Sequence, residues 1–366
     1  MIERAEVLVL THRLSRTRLF STGSNVTRDS IVVRIEDGDG RIGWGETYLV
    51  DGAVEACRAM TGTLPGRDPD EMIAELTARK GSNRWAIGAL TMALDDLRAR
   101  SRGVPVSSLY GARSRDRVRP YASSRGYVEG SGLLEAWHDE AALVSAEGFG
   151  AMKLRIGRYD LAAEISAIEQ VAAAFPTMTW MADGNGAYSL DESRRLGAAL
   201  DALGFRWLEE PLPTDDYAAY APLARELSIP LAGGEILESA GAARPFLAAG
   251  SFDLIQPDVS ICGGIGGLLE IARTAADAGG QTVPHACNGA IAMAATLQVL
   301  AILDVPSGAP AWAEPLLEFD VGENPIRSDL LTTPLAPLDG WMDIPDGPGL
   351  GVDVDEATVR RLAVAA

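Results

Sequence analysis

Four short phrases carry the residues whose chemistry stands out: MKLRIG, WMADGNG, WLEEPLP and LAGGEIL, all between Met152 and Glu235. Each is an apolar run ending in a cation or a carboxylate, so Lys153, Arg155, Asp183, Glu209 and Glu235 fall where strands stop. Asp183 and Glu209 are 26 residues apart, and Glu209 and Glu235 are 26 apart again. That equal step predicts successive strand-plus-helix units presenting equivalent side chains. Three converging carboxylates with no histidine or cysteine among them repel one another unless a hard divalent cation neutralises them. Oxygen-only ligation of that kind suits magnesium (Mg2+). Asn185, two residues after Asp183, is a candidate substrate hydrogen-bonding group. Glu210 follows Glu209 and, by strand alternation, is expected on another face in a structural ion pair.

Lys153 and Arg155 are one residue apart on a strand and therefore share a face. Inside a barrel they balance charge: three carboxylates, one divalent cation and a substrate carboxylate leave an excess of two negative charges. A lysine ammonium can lose its proton when its pKa is lowered, whereas a guanidinium does not. Arg155 is thus a positioning or electrostatic group. His285, in TVPHACNG, and Asp258, in LIQPDVS, end neighbouring predicted strands, and an aspartate on the imidazole N–H would orient His285 as a base. Glu314, in AWAEPL, is expected to close the eighth strand and, if protonated, to donate a hydrogen bond to a developing negative charge. His12 and His138 read as surface residues.

Positioning such residues requires a particular scaffold. Apolar strands alternate with helical segments over residues 118–122, 151–155, 179–183, 206–210, 230–234, 253–257, 282–285 and 312–314. Eight such strands argue for an α/β parallel barrel whose working face lies at the strand C-termini. Residues 5–10, 30–35 and 41–46 read as strands, with a polar surface loop between the first two. Helical periodicity then runs to Gly103 and Pro105. The organisation read from this is an α+β domain over residues 1–115, a barrel over 116–325, and a Pro- and Gly-rich segment over 326–366 that packs back on the first domain.

The chain has 366 residues, 47% hydrophobic and 23% charged, which is ordinary globular composition. Its net charge of −19 argues against nucleic acid or an anionic membrane as partner. Three widely spaced cysteines form neither a disulfide framework nor a zinc signature, and the amino terminus lacks a signal-peptide core. A cytoplasmic protein, with no membrane partner, is expected.

Together these phrases resemble the enolase superfamily, and within it the mandelate racemase branch. The resemblance spans nearly the whole chain and implies a modified TIM barrel, (β/α)7β, with an N-terminal α+β capping domain completed by the C-terminal tail. It implies Asp183, Glu209 and Glu235 as magnesium ligands, Asp258 with His285 as a catalytic pair, and Glu314 as the acid facing the substrate carboxylate. Lys153 matches the first lysine of the family's Lys-x-Lys pair, and Arg155 replaces the second. A one-base reaction is therefore expected, in which His285 removes the α-proton of a carboxylate substrate and Lys153, Glu314 and the metal hold the enediolate. Dehydration of an acid sugar is the leading reading, with a homo-oligomer expected. The alternatives are a racemase or epimerase, a sugar-lactone cycloisomerase and, outside catalysis, a sugar-acid binding protein.

Overall fold

The computed structural model describes residues 1–79, 81–127, 132–214, 217–305, 310 and 314–364. Its first part is an antiparallel sheet of β1 (Ile2–Phe20), β2 (Gly23–Asp37) and β3 (Ile42–Thr47), against which α1 (Ala53–Thr61), α2 (Pro69–Ala78) and α3 (Arg84–Arg102) pack. Helix α3 starts at Asn83, whose side chain accepts from Ala86 N, and stops at Gly103 in the left-handed conformation. Its contact with β3 is close: a Cβ on Gly43 would lie 2.1 Å from Ala93 O, and one on Gly45 1.9 Å from Ala89 O. Only glycine lets the sheet approach the helix backbone there.

The expected surface loop between the first two strands is instead a continuation of them. Pairing runs from Ile2 with Asp37 out to Phe20 with Gly23, shifting register between Arg13 and Arg18. Polar side chains on both faces hid this ribbon, since an arm with no buried face shows no apolar alternation. The ribbon tip is fastened to the second part of the molecule: Tyr127 N donates to Leu19 O at 2.9 Å and Arg158 Nη1 to Phe20 O at 3.0 Å.

That second part alternates strand and helix: β4 (Arg117–Ser123), α4 (Leu133–Ala146), β5 (Ala151–Arg155), α5 (Leu161–Ala174), β6 (Thr179–Asp183), α6 (Leu190–Ala202), β7 (Leu208–Glu209), α7 (Tyr220–Glu226), β8 (Leu231–Gly233), α8 (Ala240–Ala249), β9 (Leu254–Ile255), α9 (Gly264–Asp277), β10 (Gln281–Thr282), α10 (Ala290–Leu300) and β11 (Leu316–Asp320). Strand neighbours run in order from β4 to β10, with β11 parallel to β4 on the other side. One interior layer takes Tyr121, Ala151, Met181, Trp207, Ala232, Leu254, Val283 and Leu316, one residue from each strand or its immediate flank. Such a layer fills a closed barrel, and the eight strands with seven intervening helices make the expected (β/α)7β.

The eighth strand is displaced from its expected place. Residues 312 and 313 of the expected strand lie outside the described residues, and β11 begins at Leu316, after Glu314 and Pro315. Proline lacks the N–H that a ladder position needs, which favours a start beyond it.

Glu46, buried at the end of β3, accepts from Gly289 N and Ala292 N, both at 2.9 Å, and so caps α10 across the junction. After β11 come α11 (Pro325–Ser328), β12 (Met342–Asp343), which pairs antiparallel with β4, and α12 (Glu356–Leu362). The tail then reaches the first sheet, where Val364 N donates to Val9 O at 2.9 Å. Among the described residues no helix is long and apolar enough to cross a membrane.

Candidate active site

The barrel puts the singled-out residues at one mouth. Parallel register sets Arg155 beside Asp183, and Asp183 beside Glu209, while an isolated parallel bridge joins Asp258 to His285. Strand alternation turns Lys153 and Arg155 inward together, and both are buried. Lys153 Nζ lies 2.5 Å from Glu209 Oε1, 2.9 Å from Glu318 Oε1 and 3.5 Å from Asp183 Oδ2. Arg155 Nη1 donates to Asp183 Oδ2 at 3.0 Å and to Asn185 Oδ1 at 2.8 Å. Asn185 can do this because its φ of 44° and the bond from its N to Asp183 Oδ1 fold the chain back at the strand end.

Burial pushes the Lys153 ammonium down, but Glu209, Glu318, Tyr121 and Asp183 together outweigh it and hold the group well above its ordinary value. Glu318 is displaced the other way: burial raises its carboxyl, and Lys153 and His285 override that and hold it well below the carboxylate range. Burial pushes Glu209 up to about 7, with repulsion from Asp183 and Glu318 adding and Lys153 opposing.

His285 Nδ1 is 2.7 Å from Asp258 Oδ2, and Nε2 is 3.3 Å from Glu235 Oε2 and 3.9 Å from Glu318 Oε2. Asp258 is itself held by Ser260 N at 2.7 Å and by the Tyr48 hydroxyl at 2.8 Å. Three acceptor contacts on Asp258 leave it no freedom to turn from the ring, so Nδ1 carries the proton and Nε2 faces the mouth. Burial disfavours the imidazolium, yet Glu235, Cys287, Glu318 and the Asp258 bond raise its pKa well above the ordinary value.

Glu314 is not brought to this mouth. It precedes β11, at the opposite end of the barrel, within 3.7 Å of Arg119 Nε and 4.0 Å of Arg206 Nη1. Glu318, four residues on, occupies the mouth instead, fully buried, with its second oxygen accepting from Ala286 N at 3.1 Å. An apolar run ending in a carboxylate describes LLEFD as well as AWAEP, and that phrase was the available signal. Glu210 also departs from expectation. Its φ of 35° breaks the alternation, and its carboxylate accepts from Gly234 N at 2.8 Å and Tyr217 Oη at 3.1 Å, with no cation among the described residues as partner. Burial, then repulsion by Glu235, push it up to about 8. Tyr48, Gln256 and Trp207, none of them singled out in the sequence, also serve the site: the last two donate to Glu209 Oε2 at 2.8 and 3.2 Å.

Asp183, Glu209, Glu210 and Glu235 thus form a mouth of hard oxygens with more negative charge than the adjoining cations neutralise, which is the donor chemistry that suits magnesium. Among the described residues the ligand atoms that converge within 4.8 Å are those of His285, Cys287 and Glu318. The carboxylates of Asp183 and Glu209 are turned toward Lys153 and Arg155, and that of Glu235 toward His285. A cavity of about 370 Å3 opens above His285, Arg155 and Glu235, roofed by Arg18, Arg28, Tyr48 and Trp85 from the first part of the chain.

A capped parallel barrel with a lysine, an arginine, a histidine–aspartate pair and strand-end carboxylates defines an enzyme class that removes a proton next to a carboxylate. Family models agree: residues 136–358 match the enolase C-terminal domain-like model, and residues 4–111 match the mandelate racemase / muconate lactonizing enzyme N-terminal domain. The chain belongs to the enolase superfamily, in the mandelate racemase / muconate lactonizing enzyme family, whose cofactor is magnesium. It is 33% identical over 360 residues to D-galactarolactone cycloisomerase of Agrobacterium fabrum, covering 95% of this chain and 94% of that protein. Among solved structures, 3,6-anhydro-D-galactonate cycloisomerase from Zobellia galactanivorans superposes with a TM-score of 0.87 at 28% identity, covering 100% and 99% of the two chains. L-talarate/galactarate dehydratase from Salmonella typhimurium, solved with magnesium and L-lyxarohydroxamate, gives 0.87 at 26% identity, covering 100% and 93%.

Proposed function

We propose that this enzyme removes the α-proton of an acid-sugar carboxylate with His285 Nε2 as the base and then expels a β-oxygen. Asp183, Glu209 and Glu235 would hold magnesium, which when bound supplies Lewis-acid stabilisation of the charge developing on the substrate carboxylate. Lys153 and Arg155 add positive charge on that side, and the Lys153–Glu318 pair fixes the ammonium toward it. The α C–H pair becomes the new C=C bond as the β C–O bond breaks. The proton taken by His285 is returned to the departing oxygen, so loss of hydroxide ends as water and an enol that becomes a 2-keto-3-deoxy acid.

The observation that carries this reading is the oriented His285–Asp258 pair, whose histidine lines the same cavity as Arg155. Lys153 is committed to three carboxylates and Arg155 does not titrate, which supports one base rather than two and weighs against a racemase. A second reading, cycloisomerisation, keeps the same first step but expels a lactone or ring oxygen. The 33% identity to a cycloisomerase over nearly the full length favours weighing it beside dehydration. The test is proton NMR in deuterium oxide with magnesium and a panel of acid sugars and their lactones. Magnesium-dependent formation of a 2-keto-3-deoxy acid supports dehydration, and ring opening or closure without loss of water supports cycloisomerisation. Accumulation of the α-epimer of the substrate would overturn the one-base mechanism, and binding without α-proton exchange would leave a sugar-acid binding protein.

A further inference from the structure

Three arginines converge on one carboxylate at the edge of the cavity that contains His285. Asp320, ending β11, has a side chain with no solvent exposure; Arg28 Nη2 bonds it, and Arg18 Nη1 and Arg327 Nη1 lie 3.7 Å away. The arginine side chains are only 10–11% exposed. Three positive charges against one negative leave an excess of two in a nearly dry setting, an arrangement that is costly unless an anion joins it. Among the described residues the other contacts of these guanidinium groups are to neutral groups: Arg18 Nε to Arg125 O at 3.2 Å and Nη2 to Ser124 O at 3.4 Å, Arg28 Nε to Glu323 O at 3.3 Å, and Arg327 Nη2 to Gly322 O at 2.9 Å with its guanidinium over the Phe319 ring at 5.0 Å. Fastening the β1–β2 ribbon to the barrel needs one arginine on Asp320, not three.

An independent feature lies beside them. Asn324 is 6% exposed, and its Oδ1 has no hydrogen-bond partner among the described residues. A buried amide oxygen left unpaired costs about 1–3 kcal/mol. Asn324, Arg18 and Arg28 line the same cavity as Arg155 and His285. One cavity is therefore lined both by Arg155, beside the carboxylate mouth, and by the Arg18–Arg28 pair carried on the ribbon.

We propose that the Arg18–Arg28 pair is a subsite for a second carboxylate, so that the substrate is a dicarboxylic acid sugar or its lactone. The proposal rests on the acid-sugar reading above and extends it to the far end of the molecule. The reacting carboxylate sits toward Arg155 and Lys153, the distal one meets Arg18 and Arg28, and Asn324 Oδ1 accepts from a hydroxyl near that end. A monocarboxylic sugar acid ends there in a neutral hydroxymethyl group and forgoes a charge-assisted pair.

The experiment uses matched pairs that differ only at that terminus: galactarate and galactonate, glucarate and gluconate, mannarate and mannonate. Binding to magnesium-saturated His285→Asn protein, which carries no base, is measured by calorimetry. In the best-bound pair the diacid binds roughly 10- to 100-fold more tightly, from the usual worth of a charge-assisted bond. Arg28→Met and Arg18→Met each bring the ratio down by about 10-fold or more, and Arg28→Lys restores part of it. Reading a ratio separates recognition from general damage, since Asp320 keeps two arginines in either variant. A ratio near one in the parent protein, or a ratio that neither methionine variant moves, reduces the cluster to a ribbon anchor and overturns the proposal. Diacid preference in a wild-type protein that exchanges no α-proton would sink the reaction and leave the subsite standing. Equal binding of both members with brisk exchange would do the reverse.

Discussion

Replacing Asp258 with asparagine probes how the site makes a base from a histidine. Asp258 is 1% exposed, and its Oδ2 receives both His285 Nδ1 at 2.7 Å and the Tyr48 hydroxyl at 2.8 Å. Asparagine keeps the volume, but its oxygen is drawn to Ser260 N, which donates to Oδ1 at 2.7 Å. The amide NH2 then faces Nδ1 and favours the tautomer with the proton on Nε2, the nitrogen that must be free. The forming imidazolium also loses a charge-assisted bond worth about 1.5–3 kcal/mol. With the tautomer effect added, kcat for α-proton exchange falls by about 10²- to 10⁴-fold, or roughly 3–5 kcal/mol. Two negative neighbours, Glu235 and Glu318, still face the ring, so the change does not amount to complete loss. The pH dependence carries a sign. A base works when neutral, so exchange rises as pH passes upward through the His285 pKa, which Asp258 helps to raise. Asp258→Asn therefore moves the acid limb of the rate profile to lower pH while depressing its plateau. Exchange is followed by mass spectrometry in deuterium oxide at saturating magnesium. An Asp258→Asn enzyme within about 3-fold of wild type, or with its acid limb unmoved, would refute the pairing as the origin of the base.

Two further outcomes follow from the placement of individual side chains. Glu318→Gln removes the partner that Lys153 Nζ meets at 2.9 Å and lowers kcat by roughly 10²-fold, whereas Glu314→Gln, at the far end of the barrel, stays within about 3-fold; steady-state kinetics on both variants checks the pair. Alkylation of the native protein consumes Cys287, which is partly exposed at the cavity, and spares Cys57 and Cys262, which are buried, the Cys57 thiol being pushed up to about 12 by burial; peptide mass mapping reads this, and early labelling of Cys57 would contradict the packing of α1.

The strand ends in the sequence carried much of the site because a barrel converts chain order into position. An apolar run with a terminal charge identifies both a strand and the residue at its mouth, and for β5 and β6 the expected bounds match those observed. Lys153, Arg155, Asp183 and Asn185 were legible for that reason. His285 and Asp258 were legible as neighbours because sequential parallel strands are adjacent in space. The eighth strand failed under the same rule, since two carboxylates four residues apart both end apolar runs and only the ladder start beyond Pro315 chooses Glu318. Glu210 failed because a positive φ reverses the alternation that strand reasoning assumes.

The β1–β2 ribbon marks the boundary between the two kinds of information. Its residues repeat no apolar period, so local sequence presents it as a polar loop. Its strand character comes from hydrogen bonds to its own partner arm, and its place over the mouth comes from bonds to the Tyr127 N–H and the Arg158 guanidinium and from Asp320 beneath it. By itself the sequence determined the barrel, the acidic strand ends and the family, because these depend on periodicity and residue type along one chain segment. Tertiary structure alone decided which glutamate faces Lys153, how Asp258 is held against His285, and that arginines 10 residues apart meet over one buried carboxylate. Those features arise from contacts between segments far apart in the chain, where register, turn conformation and burial rather than composition set the outcome.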